Sequence, residues 1–104
     1  MKKMRKIINE KKLERISKIL KINSEDLKKS QKTDYRYYRY AIMKIERERG
    51  SSLNKIGQFF KRKHETVSNA IRQIENLSYL DEIKQVEEAV RNAYKQVEEA
   101  DETN

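Results

Sequence analysis

Between Leu53 and Ile71 the apolar residues fall into two short helical patterns with a cationic break between them. Leu53, Ile56 and Phe60 mark one face of a first helix, and Val67, Ala70, Ile71 and Ile74 one face of a second. Lys61-Arg62-Lys63 separates them. Two short helices joined by a tight basic corner are the outline of a helix-turn-helix, a unit that sets the start of its second helix in the major groove of duplex DNA. That start carries His64, Thr66, Ser68 and Asn69 beside the three cations.

The composition keeps the rest of the chain helical. Proline is absent and only Gly50 and Gly57 are glycine, so few turns are built in. The 104 residues suit one small domain with an extension. Only 36% are hydrophobic against 40% charged, so the core is small and each apolar position on a helix counts. The absence of cysteine excludes a disulfide framework and a thiolate metal site. No apolar run approaches the roughly 20 residues of a membrane span. Ile7-Ile8 is too short for the apolar region of a signal peptide, so a cytoplasmic protein is expected. No carboxylate pair, metal cluster or nucleophile-base set stands out. His64, the only histidine, has Glu65 as a sequence neighbour rather than as a partner across a site. Neither an enzyme nor a cofactor or metal is expected.

Charge divides the chain. Residues 79–104 hold three cations and eight acids, a net of −5, which leaves +13 on residues 1–78. A basic domain concentrates polyanions around itself and speeds encounter with them. Three segments are expected: a basic arm at 1–10, a helix-turn-helix domain at 11–78 and an acidic helix at 79–104. The arm reads either as a frayed start or as a phosphate contact.

Leu13, Ile16, Ile19 and Leu20 predict a helix near 11–21. Ser24 can cap a short helix anchored by Leu27, with Glu25 and Asp26 in its first turn. Asp34 can cap the next, about 35–49, whose inward stripe is Tyr38, Ala41, Ile42 and Ile45. Gly50-Ser51-Ser52 ends it and offers a cap for a helix at about 53–60. The second helix of the reading unit spans about 64–77, and Ser78 with Asp81 has capping-box spacing for a last helix reaching Ala100. In that tail Lys84-Gln-Val-Glu-Glu-Ala89 recurs as Lys95-Gln-Val-Glu-Glu-Ala100. Ile83, Val86, Val90, Ala93, Val97 and Ala100 keep a 3-4 spacing suited to a coiled-coil seam, although the offset of the repeat argues for a straighter course. The tail then either pairs with another helix, packs back on its own domain, or lays its acids over the basic surface.

From about residue 12 to 78 the chain resembles the C-terminal DNA-binding domain of the bacterial replication initiator DnaA. Five pieces carry the resemblance in sequence order. Ile19-Leu-Lys-Ile22 ends a first helix and Ser24-Glu-Asp-Leu27 follows it. A basic helix holds Arg36 and Arg39. Ser52-Leu-Asn-Lys-Ile-Gly57 is similar to the family's S-L-x-x-I-G, and Arg62-Lys-His-Glu-Thr-Val-Ser-Asn-Ala70 to its R-D-H-T-T-V-x-x-A signature. Ile71-Arg-Gln-Ile-Glu-Asn-Leu77 resembles the helix end that closes the domain. The resemblance implies an all-α helix-turn-helix bundle of the Trp-repressor-like class, here followed by a long C-terminal helix. It implies base contact for His64, sets Thr66 on the signature's second threonine, and implies a phosphate-side place for Arg62 and a minor-groove arginine near Arg39. Two signature positions differ. Lys63 stands in place of the aspartate and Glu65 in place of the first threonine. Lysine favours guanine acceptors or phosphate, and glutamate favours the cytosine amino group, so the family's own target sequence is not carried over. No G-x-x-x-x-G-K-[ST] occurs, so ATP-driven chemistry is not expected.

The expected DNA contacts are therefore Arg36, Arg39, Ser52, Lys61, Arg62, Lys63, His64, Thr66, Ser68 and Asn69. Lys61, Arg62 and Lys63 suit phosphate, and Asn69 has the geometry to pair with adenine. Ser51 and Ser52 read as helix caps first. The expected activity is sequence-preferring binding of double-stranded DNA in replication control or transcription regulation. The alternative is a helical adaptor in replication machinery, acting through residues 79–104 as a homodimer or with a helical partner. The Tyr35-Arg-Tyr-Tyr-Arg-Tyr40 run suggests a third reading, stacking on single strands.

Overall fold

A computed structural model describes residues 7–102, and within them the chain is helical throughout. The helices are α1 (Glu10–Leu20), α2 (Ser24–Lys29), α3 (Thr33–Glu48), α4 (Leu53–Phe60), α5 (His64–Asn76) and α6 (Asp81–Glu102). This is the expected all-α helix-turn-helix bundle with a long last helix.

The helix starts follow side-chain chemistry. Asn9 Oδ1 accepts from the Lys12 N–H at 2.8 Å, and Ser52 Oγ from the Lys55 N–H at 3.1 Å, each satisfying a first-turn donor that has no partner within its helix. The cap of α2 is Asn23 rather than Ser24. Its Oδ1 accepts from the N–H groups of Glu25 and Asp26, and Ser24 is the first helical residue. α3 likewise starts ahead of expectation, at Thr33, so Asp34 sits in the first turn and favours the positive helix end without capping it. The Ser78–Asp81 box does not form either. The chain turns through 77–80, and the Ile83 N–H donates to Leu80 O before α6 continues.

Three helix ends use the same closing device. After α1, α3 and α4 a residue adopts positive φ: Lys21 at 61°, Gly50 at 102° and Lys61 at 57°. In each case the next N–H reaches back five residues, from Ile22 to Ser17 O, Ser51 to Glu46 O and Arg62 to Gly57 O. These are Schellman ends. Only Gly50 was legible as one, because lysine carries a steric cost in the left-handed region.

α3 is the central helix, packing against α5 and α6 and also against α2 and α4. Its inward face is wider than the expected stripe. Arg39, Ala41, Ile42, Met43, Ile45 and Glu46 are buried, whereas Tyr38 is half-buried. The tail packs back on its own domain. α6 lies against α1 and α3, and Ile83, Val90, Ala93, Tyr94 and Val97 enter the same core as Leu13, Ile16, Ile42 and Ile56. The 3-4 stripe that suited a coiled coil is thus filled from within the chain. Ile8 is buried in this core as well, so residues 7 and 8 belong to the domain rather than to a solvated arm. The rest of the arm, residues 1–6, lies outside the described residues. Among the described residues no helix is long and apolar enough to cross a membrane.

Candidate nucleic-acid interface

The reading unit is α4, a three-residue corner and α5. Ile56, Gly57 and Phe60 of α4 face Val67, Ala70 and Ile74 of α5 as the buried side of the pair. The corner is tight because Gly57 has no Cβ. One built there would stand 2.4 Å from the Arg62 carbonyl oxygen and 3.6 Å from the His64 nitrogen. A backbone that near admits no side chain. Lys63 precedes α5 in extended conformation with no side-chain cap, so the first N–H groups of α5 keep their positive end for an outside partner.

That end is open. Lys61, Lys63, His64, Glu65, Thr66 and Asn69 are exposed and Ser68 is half-buried. α6 lies over α1 and α3, away from the role of covering this surface. Asn54, Gly57, Gln58, Lys61, Arg62, Lys63, His64 and Glu65 line an open depression of about 380 Å³ along the corner. His64 Nδ1 lies 3.5 Å from Glu65 Oε1, with both side chains more than half exposed. Ser52 is exposed, and its hydroxyl is engaged as the α4 cap.

The arginines are placed differently from the lysines. Arg39, expected to reach a groove, is 2% exposed. Its Nη1 donates to Leu27 O at 3.2 Å and Ser30 O at 3.1 Å, tying the end of α2 to α3. Burial, then the charge of Arg62 and to a lesser extent that of Arg36, lower its pKa to about 10, with Tyr40 opposing. Arg39 is a structural cation in this fold, and a minor-groove contact is not open to it without unpacking. Arg62 is half-buried, with Nη1 donating to Lys28 O and Phe60 O, both at 3.0 Å. Arg36 is half-buried on the turn of α3 before Arg39, and its Nε is buried without a hydrogen-bond partner.

Several surface residues beside the expected ones escaped the sequence reading. Arg72, Gln73 and Asn76 continue the exposed face of α5 beyond Asn69. Their spacing of three, four and seven from Asn69 is a signal that could have found them. Asn54 and Gln58 on α4 border the same depression and carried no comparable mark.

A buried apolar seam, a glycine-closed corner and an exposed, uncapped start to the second helix define a helix-turn-helix protein. The family model described as bacterial dnaA protein helix-turn-helix matches residues 10–74. The match spans α1 to the last turn of α5, well over half of the chain, and the chain belongs to that family of DNA-binding domains. No curated protein and no solved structure matches it. α6 lies beyond the matched residues, although its side chains complete the core.

Proposed function

We propose that this protein binds double-stranded DNA with a sequence preference, acting in replication control or transcription regulation and without ATPase chemistry. The observation that carries the reading is the exposed, uncapped amino end of α5 beside Lys61 and Lys63. A helix start of this kind attracts anions, and its first-turn side chains reach base edges once it lies in the major groove. In this reading His64, Thr66 and Asn69 read bases. Lys61 and Lys63 neutralise phosphates, and Ser68 and the capping Ser52 add hydroxyls to the contact. Arg72 and Gln73 extend the contact along α5. Such a protein works in the bacterial cytoplasm, on the nucleoid.

Loss of a base contact costs about 1–3 kcal/mol of discrimination, whereas loss of a phosphate contact weakens binding to all sequences alike. Fluorescence anisotropy on preferred and scrambled duplexes separates the two. His64→Ala should narrow the gap between them, and Lys63→Gln should weaken both while flattening the salt dependence. Equal loss on both duplexes from His64→Ala would reject its base-reading role.

The rival roles have less support. An adaptor acting through residues 79–104 would need the apolar stripe that α1 and α3 already cover. Stacking on single strands would need free aromatic faces, but Tyr37 and Tyr40 meet edge to face at 6.2 Å and both are half-buried.

A further inference from the structure

Among the described residues three large hydrophobic side chains stand in solvent, Ile19, Tyr79 and Leu80. Two of them are neighbours on the turn from α5 to α6, and Tyr79 is 71% exposed. Hydrogen bonds fix the backbone of this turn. The Ser78 N–H donates to Glu75 O, the Leu80 N–H to Leu77 O, and the Ile83 and Lys84 N–H groups to Leu80 O. Leu80 therefore occupies the cap position of α6, where a serine or aspartate side chain would hold a first-turn N–H and leucine holds none. Neither side chain enters the core. Asp81 and Glu82 follow, both exposed and, among the described residues, without an ion pair.

Ile19 has the opposite surroundings. Lys18 and Lys21 flank it at the end of α1, exposed and likewise without carboxylate partners among the described residues. Both line an open depression of about 300 Å³ where α1 turns into α2, together with Ile22 and with Glu14 as its one acid. The chain thus carries a projecting apolar patch beside two acids and a concave apolar patch beside two lysines. Scattered exposed hydrophobics need no explanation, but an adjacent pair that includes a tyrosine has the composition of an interface anchor. Opposite charge beside each patch gives the two surfaces one register and disfavours either patch meeting its own kind.

We propose that the Tyr79–Leu80 turn of one molecule docks on the surface formed by Lys18, Ile19 and Ile22 of a second copy of this chain, with Asp81 and Glu82 facing Lys18 and Lys21. Side chains this few bury much less than the roughly 1,200 Å² of a stable complex, so free molecules pair only when concentrated. Two copies bound to one duplex are concentrated by it, and the same contact makes their binding cooperative. The pairing stands on these surfaces alone, whereas its role on DNA rests on the DNA-binding reading. The apolar stripe of α6 stays in the core of its own molecule, so the contact needs no unpacking.

Sedimentation of the full chain at millimolar concentration reads the pairing without DNA, and titration of duplexes with room for one copy and for two reads it on DNA. The variants are Tyr79→Ser, Lys18→Glu, Glu82→Lys and, as a charge control elsewhere on α6, Glu88→Lys. All four positions are exposed, so each variant should remain folded, as thermal melts would show. The wild type and Glu88→Lys should self-associate in a manner weakened by salt, and should load the second copy about tenfold more tightly than the first, within the usual range of coupling between sites. Tyr79→Ser should lose both effects, and Lys18→Glu and Glu82→Lys should each lose most of them alone. An equal mixture of Lys18→Glu and Glu82→Lys should regain them, because the reversed charges then face opposite partners on neighbouring molecules. No association and no cooperativity in the wild type, or no recovery in the mixture, would overturn the pairing while leaving DNA binding intact. Association that follows the expected pattern in a chain with no duplex affinity would keep the pairing and reject the DNA reading.

Discussion

Gly57 controls how closely the two reading helices meet. Its missing side chain leaves room for the Arg62 carbonyl, which is backbone and cannot swing aside. Gly57→Ala should therefore open the corner, cost about 1–3 kcal/mol of stability by forced repacking, and lower DNA affinity with it. Chemical denaturation and duplex titration of the variant check both; wild-type values would mean that the corner relaxes freely. Lys21 poses the opposite case, a side chain at a φ of 61° far from the reading unit. Lys21→Gly should stabilise by up to about 1 kcal/mol, the relief of left-handed strain less the entropy that glycine loses on folding, with unchanged duplex preference. At this scale the sequence was legible where residue type and φ agree, as at Gly50, and misleading where they conflict. Arg39 shows the limit most clearly. An arginine on a basic helix reads as a surface cation, and nothing local reveals that the carbonyls at the end of α2 draw it inward.

At the scale of elements, α6 is a brace. Tyr94 donates its hydroxyl to Glu46 Oε2 at 2.6 Å, and Glu46 Oε1 accepts from the Ile8 N–H at 3.1 Å and the Ser51 hydroxyl at 3.4 Å. This buried carboxylate links α6 to the 50–52 corner from which α4 starts. Burial, then the neighbouring Glu46 charge, push the Tyr94 hydroxyl well above its usual pKa, so it remains a donor. Tyr94→Phe should cost about 1–3 kcal/mol by leaving one oxygen of Glu46 short of a donor, as read by denaturant unfolding. Nearby, Glu98 meets Arg49 and Lys12, both of which also lie over the Tyr94 ring. The hydrogen bond from Arg49, against some burial and with help from Lys12, lowers the Glu98 pKa from 4.5 to about 2. A depressed carboxylate stabilises fully above its unfolded pKa and loses that contribution as pH falls through the folded one. Acid should therefore weaken the α6 brace between about 4.5 and about 2, and Glu98→Gln should remove this part of the pH dependence. Equal pH profiles for the two proteins would show that the pair contributes nothing. The helices themselves were largely readable, since periodicity placed α4 and α5 within a residue or so. The brace was not, because Glu46 and Tyr94 are 48 residues apart and each looks unremarkable alone.

For the whole molecule, charge is sorted by face. Two of the eight acids in residues 79–104, Glu87 and Glu98, meet cations of the domain: Lys12 of α1, Lys44 of α3 and Arg49 just beyond α3. The corner and the start of α5 keep their lysines free of carboxylates at hydrogen-bond distance among the described residues. A molecule polarised this way approaches a polyanion with its reading unit first. Sequence alone divided the chain into a domain and a tail, since composition changes sharply near residue 79, yet packing joins them in one core. Residues 1–78 alone should therefore melt well below the full chain and bind duplexes poorly; a truncated protein with full stability and affinity would make α6 a separable module. The central claim, that the amino end of α5 reads duplex DNA, is tested most directly by selecting bound duplexes from a random pool with the intact protein and with His64→Ala. Enrichment of one short motif, blurred at the positions that His64 reads in the variant, is the predicted result. Absence of enrichment, or no retention of any duplex at low salt, would contradict it.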